Sequence, residues 1–297
     1  MVELRHFRYF VALAEELHFG RAAQKLHIAQ PGLSQQILAL EKELGVALLT
    51  RTRRRVELTE AGRLFLQEGR RVLAQAQRAE NLARRAGSGE IGRLTIAGTE
   101  SATWDVLPEL LREYRRCYSE VELVIREMTT PLQVAALHSG EIDVAFLRAP
   151  VETEGLNVRT VRQEPLAVLL PEAHPLAQRG AIPLAALSGE PLVVYPASPR
   201  PSWADFTIGV CRNAGFEPRI AHEANETATA VSFVAAGLGL ILVPEALKGL
   251  VRPGVLFRPL APPAPITQLL LVHRSGPPSP TLKTFLAVAH SLWPHLE

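Results

Sequence analysis

Cysteine is scarce in this chain of 297 residues. Its two cysteines, Cys117 and Cys211, lie far apart and lack the spacing of metal ligands. We therefore expect two buried or half-buried thiols rather than a disulfide or a redox switch, as in a protein of the reducing cytosol. The nine histidines show neither an HExxH motif nor paired spacing, so they predict no metal site.

Long apolar runs are also absent. The first turns carry charged residues such as Glu3, Arg5 and Arg8, which leaves no apolar core for a signal peptide. No later run reaches the length that a membrane span needs. We therefore expect a cytoplasmic protein without a membrane partner. Its ordinary balance of 47% hydrophobic and 21% charged residues suits two or three globular domains.

Catalytic motifs are missing too. Gly237-Leu238-Gly239 has no glycine three residues later, and it stands between a predicted helix and a predicted strand, the reverse of a dinucleotide-binding fingerprint. The segment predicts a helix C-cap instead. No serine occupies a G-x-S-x-G elbow. These absences predict a protein that is not an enzyme and needs no cofactor.

A helical hairpin is predicted in residues 19–45. Residues 21–27 predict a supporting helix, a corner falls at Ile28 and Ala29, and Pro31 suits the first turn of a second helix. The second helix buries an apolar stripe and ends at Gly45; the stripe comprises Leu33, Ile37, Leu40 and Leu44. Amides and a hydroxyl on its other face suit hydrogen bonds to base edges. The alternative is an ordinary hairpin with a solvated polar face.

The net charge of +2 excludes a uniformly basic nucleic-acid coat, so DNA affinity must come from locally clustered charge. Residues 51–55, RTRRR, supply such a cluster directly after the second helix. Residues 48–59 read as two short strands around this arginine-rich tip. Such a pair is typical of a wing that lies along the DNA backbone or minor groove.

Residues 4–62, from LRHFRYF to LTEAG, resemble the winged helix-turn-helix of the LysR-type transcriptional regulators, and the chain length extends the resemblance to the whole chain. The resemblance implies double-stranded promoter DNA as partner, with RNA polymerase as a further partner. It implies DNA contacts from Gln30, Pro31, Gly32, Ser34, Gln35, Arg51, Arg53 and Arg54. Gln35 stands where many relatives carry Arg, which bears on the bases read, and Leu49 replaces a common Phe.

A long helix is predicted from Thr59 to about Ala86, with a break at Gly87-Ser88-Gly89. Its apolar positions recur near a helical period, and a winged domain alone is too small to cover them. A second copy is the natural cover; the alternative is packing on its own chain alone. The resemblance implies a homodimer that assembles further into a homotetramer.

From Arg93 onward strands and helices alternate, as in a mainly parallel sheet. The last strand and helix, near residues 267–292, return to the first set, with crossover strands near Val161 and Leu260. The expected fold class is α/β: a winged helix-turn-helix and linker helix, then a two-lobed effector domain like periplasmic binding proteins. The expected domains are residues 1–59, 60–89 and 90–297. Lobe I spans about 90–162 and 265–297, and lobe II spans about 163–264.

Hydroxyl-bearing segments follow the predicted strands of lobe I, at Ser101 and Thr130. Free backbone N–H groups beside Ser101 suit an anion, although a simple N-cap is the commoner use of such a serine. A proline-stiffened loop in lobe II, YPASPRPSW, faces them from residues 195–203. Together these stretches resemble the muconate- and benzoate-responsive branch of the family, which implies a small-molecule effector held by Ser101, Thr130, Arg148, Pro201, Ser202 and Trp203.

Three features bear on this expectation. Arg148 is expected at the edge of the site, and Trp203 replaces a Phe of those relatives. Glu100 is an acidic neighbour at a site meant for a carboxylate. Arg162 and Glu164 match a second aromatic-acid pocket of some relatives, or form a surface ion pair. A sugar phosphate or nucleotide effector, or an effector-independent repressor, remains the alternative.

Overall fold

A computed structural model describes residues 1–51, 55–152 and 154–294, so the predictions for Arg53 and Arg54 lie outside the described residues. The chain divides into two compact units, Met1–Arg85 and Ala86–Glu297, and each is described by itself. Among the described residues, no helix combines the length and apolar character needed to cross a bilayer.

The first unit is a helical hairpin on a third helix, followed by a two-stranded wing. Its elements are α1 (Leu4–Glu16), α2 (Phe19–Lys25), α3 (Gln30–Leu44), β1 (Leu49–Arg51), β2 (Val56–Leu58) and the start of α4 (Glu60–Ser88). As predicted, Pro31 lies in the first turn of α3 and Gly45 ends it with φ of 69°. The supporting helix begins two residues earlier than predicted, because His18 caps it by accepting from the Arg21 N–H. β1 and β2 pair antiparallel.

Helix α4 runs to Ser88, two residues beyond the predicted end, and Gly89 follows with φ of 77°. Only two of its residues are buried, Gly62 and Gly69. A Cβ on Gly62 would lie 2.0 Å from the Leu48 carbonyl oxygen, so this crossing requires glycine. Most of the helix is exposed in the single chain.

The second unit alternates strands and helices, as the sequence predicts. Its elements are β3 (Ile91–Gly98), α5 (Glu100–Trp104), α6 (Val106–Cys117), β4 (Glu120–Glu127), α7 (Thr130–Ser139), β5 (Val144–Arg148), β6 (Leu156–Pro171), β7 (Pro191–Val194), α8 (Trp203–Asn213), β8 (Arg219–Glu223), α9 (Thr227–Ala235), β9 (Ile241–Pro244), β10 (Val255–Pro259), β11 (Ile266–Arg274) and α10 (Pro280–Leu292). Asp105 separates the two helices that follow β3, as the C-cap of α5 and the N-cap of α6.

Strand β6 joins two lobes. Its first part pairs antiparallel with β11, down to Pro165 opposite Ile266. Its second part pairs with β9 and β10. In lobe I, β3 lies parallel between β4 and β5, and β11 lies antiparallel between β5 and the first part of β6. In lobe II, β7 and β8 are parallel. The two crossovers lie near the expected positions: Val161 belongs to β6, and Leu260 lies between β10 and β11.

Each lobe has its own apolar core, on both faces of its sheet. The lobe I core contains two edge-to-face ring contacts. Tyr114 packs against Phe285, and Phe285 packs against Phe146. Cys211 is buried in the lobe II core as a free thiol. Cys117 is exposed, so the prediction of a buried or half-buried thiol is wrong for it, because it ends α6 at the surface.

Candidate functional site

Helix α3 presents a continuous polar surface. Gln30, Pro31, Gly32 and Gln35 are exposed, and Ser34 is half-buried beside them. Leu33, Ile37 and Leu40 on the opposite face have no exposed surface. The helix is therefore anchored by its apolar stripe, and its amides and hydroxyl face outward, as base reading requires.

Glu41 has a structural task that the sequence did not indicate. Its carboxylate accepts hydrogen bonds from the backbone N–H groups of Leu48 and Leu49, at 2.9 and 3.0 Å. It also pairs with the Arg51 guanidinium at 2.8 Å, and that guanidinium lies over the Phe19 ring. Glu41 thus fixes the start of the wing to α3, and Arg51, a predicted DNA contact, already has a protein partner.

In the second unit, a cleft of about 440 Å³ lies between the two lobes. All six predicted effector residues line it: Ser101, Thr130 and Arg148 from lobe I, and Pro201, Ser202 and Trp203 from lobe II. The lobe I wall consists of the carboxyl ends of β3, β4 and β5. The starts of α5 and α7 follow the first two of these strands, and ligands of open α/β sheets bind at this edge.

The polar floor of the cleft is built around Arg148. Its Nε donates to Ser101 Oγ at 2.9 Å, and its Nη2 to Glu164 Oε1 at 2.6 Å. The Arg148 side chain, expected at the edge of the site, is only 6% exposed. Its Nη1 is buried without a hydrogen-bond partner among the described residues. One donor of a buried cation that lines the cleft therefore remains unsatisfied.

Thr130 and Ser101 support this floor. The Thr130 hydroxyl accepts from the Arg148 backbone N–H at 3.3 Å, and it tethers the start of α7 to the end of β5. Ser101 is buried and is not the N-cap of α5, which is Thr99. The simple N-cap alternative for Ser101 is therefore wrong, because its oxygen receives the guanidinium instead.

Arg162 and Glu164 do not pair with each other, so the predicted surface ion pair is wrong. Arg162 pairs with Asp105. Glu164 is 5% exposed, and its second oxygen accepts from the Ala246 N–H of lobe II at 2.5 Å. Glu164 therefore links Arg148, in the floor of the cleft, to Ala246 of lobe II.

On the lobe II side, the proline loop folds back on the start of α8. Ser202 Oγ donates to the Pro196 carbonyl at 2.9 Å, and the Ser202 N–H donates to Asp205 Oδ2 at 2.7 Å. This capping box uses the Ser202 N–H and hydroxyl within the loop and the first turn of α8. Trp203 Nε1 donates to the Leu242 carbonyl, so Trp203 offers the cleft its ring and not its N–H. The Arg148 guanidinium lies 5.8 Å from that ring.

Polar side chains of the two lobes also lie close together across the cleft. Glu100 of lobe I lies near Thr227, at the start of α9 in lobe II, and Tyr195 lies near the same threonine. Burial raises the pKa of Glu100, and the nearby Glu127 and Glu226 carboxylates raise it further. Burial also raises the pKa of Tyr195. Tyr195 belongs to the predicted proline loop, whereas Thr227 and Glu226 were not predicted, although both follow β8 at the start of a helix.

Comparison with known proteins identifies relatives of both units. Residues 4–63 match the family described as "Bacterial regulatory helix-turn-helix protein, lysR family", and residues 87–293 match the "LysR substrate binding domain". The HTH-type transcriptional regulator CatR of Pseudomonas putida is 42% identical over 287 residues, 97% of this chain and 98% of CatR.

Two solved structures cover nearly the whole chain. The crystal structure of CbnR, a LysR family transcriptional regulator, superimposes with a TM-score of 0.84 at 32% identity, over 97% of this chain and 100% of CbnR. Full-length CbnR complexed with its target DNA gives the same TM-score at 30% identity, over 98% and 99% of the two chains. These matches confirm the predicted fold class and the resemblance to the aromatic-catabolism branch.

Proposed function

Because the chain belongs to the LysR family of bacterial transcriptional regulators, we propose that it binds promoter DNA as an oligomer in the cytoplasm and responds to a small carboxylate. Residues 1–59 would bind DNA, residues 60–89 would pair two copies, and residues 90–297 would hold the effector. CbnR, which is similar over its full length, has been crystallised with target DNA.

The polar face of α3 supports base-specific binding. Replacing a residue that contacts a base edge costs about 1–3 kcal/mol on the cognate site and little on random DNA. Duplexes selected from a random pool by the wild-type protein provide the cognate site. On these duplexes, Ser34→Ala and Gln35→Ala should weaken binding about 5- to 150-fold, whereas Gln178→Ala, an exposed glutamine of the second unit, should not. Unchanged affinity in both α3 variants would reject this face.

The exposed surface of α4 supports oligomerisation. Leu64, Val72 and Leu82 are 58%, 39% and 43% exposed in the single chain. Apolar side chains repeated along a 29-residue helix form a stripe that a second copy can bury. Two DNA-binding units on one dimer would read an interrupted inverted repeat, with half-sites spaced by whole helical turns.

The effector proposal rests on Arg148, which lines the inter-lobe cleft and whose buried Nη1 has no hydrogen-bond partner among the described residues. A ligand carboxylate would supply the missing acceptor in a charge-assisted hydrogen bond. The Trp203 ring, with the Phe206 ring 4.9 Å away, provides an apolar wall for a carbon skeleton. Aromatic-derived acids such as muconate and benzoate are the first candidates, because the chain resembles the aromatic-catabolism branch.

Contacts from both lobes would couple the ligand to the shape of the second unit. A ligand that contacts both Arg148 and Trp203 binds a closed cleft more tightly than an open one. It favours closure only by the difference between these two affinities. β6 carries residues of both lobes and is one of two connections between them. Closure would change how subunits pack and thereby the spacing of the DNA-binding units.

A thermal-shift screen of the full-length protein would test this proposal. The panel would hold muconate, benzoate, aliphatic acids, amino acids, sugar phosphates and nucleotides at equal concentration. We expect a carboxylate to raise the melting temperature, since a ligand that binds only the folded state stabilises it by mass action. A shift with sugar phosphates or nucleotides alone would instead support the alternative effector class.

A further inference from the structure

The inter-lobe cleft is acidic. Glu100 and Glu127 line it from lobe I, and Asp205 and Glu226 from lobe II. Asp205 is matched by Arg200 at 2.7 Å and caps α8. The other three carboxylates lie close enough for the charges of Glu127 and Glu226 to act on Glu100. They therefore form one acidic patch that spans both lobes.

Cations are scarce in the same lining. Arg148 is the one lysine or arginine among the described residues that line the cleft, and Glu164 already serves as its counter-ion. Its unsatisfied Nη1 nevertheless needs an acceptor oxygen. The cleft lining thus combines a residue with one unsatisfied donor and an excess of negative charge. A ligand with a negative charge alone satisfies the donor but faces the acidic patch, where like charges in a shielded site repel strongly.

The two features are adjacent in the chain. Ser101, whose hydroxyl receives Arg148 Nε at 2.9 Å, directly follows Glu100. A ligand that uses both features therefore brings two opposite charges to the same part of the lobe I wall. Apolar side chains, among them Met128, Leu132 and the Trp203 ring, line the rest of the cleft and offer a place for a carbon side chain.

Resting on the proposed carboxylate site, we infer that the effector is a zwitterion, an α-amino acid with an apolar or aromatic side chain, whose carboxylate binds Arg148 Nη1 and whose ammonium group faces Glu100. Its ammonium group neutralises part of the acidic patch, and its carboxylate completes the hydrogen bonds of Arg148. Plain aromatic acids lack the first of these interactions.

Calorimetry with matched pairs of ligands on the full-length protein tests this inference. Phenylalanine is compared with 3-phenylpropanoate, and leucine with 4-methylpentanoate, because each pair differs in the amino group. At least one amino acid should bind more tightly than its partner by about tenfold or more, the scale of one well-placed charge interaction. Glu100→Gln and Glu127→Gln should lower this ratio, whereas Glu109→Gln, on the exposed side of α6, should leave it unchanged.

The outcomes separate this inference from the proposed function. If muconate, benzoate or a des-amino acid binds as tightly as the amino acids or more tightly, the carboxylate site stands and the zwitterion is rejected. If the ratio is unchanged in both Glu100→Gln and Glu127→Gln, the ammonium group does not face the acidic patch, and the inference is again rejected. Glu127 is exposed, so its variant remains informative should Glu100→Gln fail to fold. If no carboxylate binds at all, both proposals fail.

Discussion

Loss of the buried ion pair between Arg148 and Glu164 should strongly destabilise the second unit. Their Nη2 and Oε1 atoms lie 2.6 Å apart, and their side chains are 6% and 5% exposed. Glu164→Gln would leave the guanidinium buried without a counter-ion, which typically costs about 3–5 kcal/mol. It would also weaken the acceptor for the Ala246 N–H, and with it the link to lobe II. For a unit of about 200 residues, this loss lowers the melting temperature by roughly 10 °C.

Tryptophan fluorescence during urea unfolding measures the effect. All three tryptophans, Trp104, Trp203 and Trp293, belong to the second unit, so the signal reports on the unit that contains the pair. Glu217→Gln is the matched control, because Glu217 binds both Arg212 Nε and Nη2 in an exposed pair. Exposed pairs contribute about 0–1 kcal/mol.

A double-mutant cycle completes the test. Arg148→Met combined with Glu164→Gln removes both charges, so the double variant should be more stable than the sum of the two single losses predicts. A loss below about 1 kcal/mol for Glu164→Gln, similar to the Glu217 control, would refute the account of Glu164 as the counter-ion of a desolvated guanidinium.

Three further predictions concern other parts of the chain. Leu82→Glu should convert the oligomer to a smaller species in sedimentation velocity, because a charge on the exposed stripe of α4 opposes its burial; an unchanged sedimentation coefficient would remove α4 from the interface. Ellman's reagent at pH 8 should titrate one thiol in the native protein and two in denaturant, since Cys117 is exposed and burial raises the pKa of Cys211 to about 11; two fast thiols would contradict this burial. Because the pKa of Glu100 is raised, the folded state retains a proton that the unfolded state releases, and the melting temperature of the wild type should fall as pH rises from the ordinary carboxyl range through the raised pKa. The melting temperature of Glu100→Gln should lack this fall, and parallel pH profiles of the two proteins would contradict the raised pKa.

The helices that carry their own boundary signals were predictable from the sequence. α8 begins at Trp203 because Ser202 and Asp205 form a capping box, and α10 begins at Pro280 after the Ser279 cap. The stop of α3 at Gly45 follows from the same local chemistry. The extent of β6 was not predictable, because charged and polar residues among its first ten obscure a strand that is buried only in parts.

The candidate cleft was predictable in part. The hydroxyls at strand ends and the proline loop are local features, and they do line one cleft. Partnerships across the fold are not local. Arg148 pairs with Glu164, which is 16 residues away in the chain, and Arg162 pairs with Asp105. Glu100 of lobe I lies near Thr227 of lobe II. Spacing in the chain does not reveal such pairs. The ion pair between Arg162 and Glu164 was therefore predicted wrongly, and of the acidic patch only Glu100 was predicted.

The most direct test of the account is whether the inter-lobe cleft holds the effector. Calorimetry would titrate the tightest-binding acid of the thermal-shift panel into wild type, Ser101→Ala, Thr130→Ala, Trp203→Ala and the control Ser232→Ala, a serine outside the cleft lining. We expect the three cleft variants to lose about tenfold or more in affinity, since each removes a contact to the ligand or to Arg148, while the control variant and DNA binding without ligand stay unchanged. Wild-type affinity in all three cleft variants would contradict the account and place the effector elsewhere.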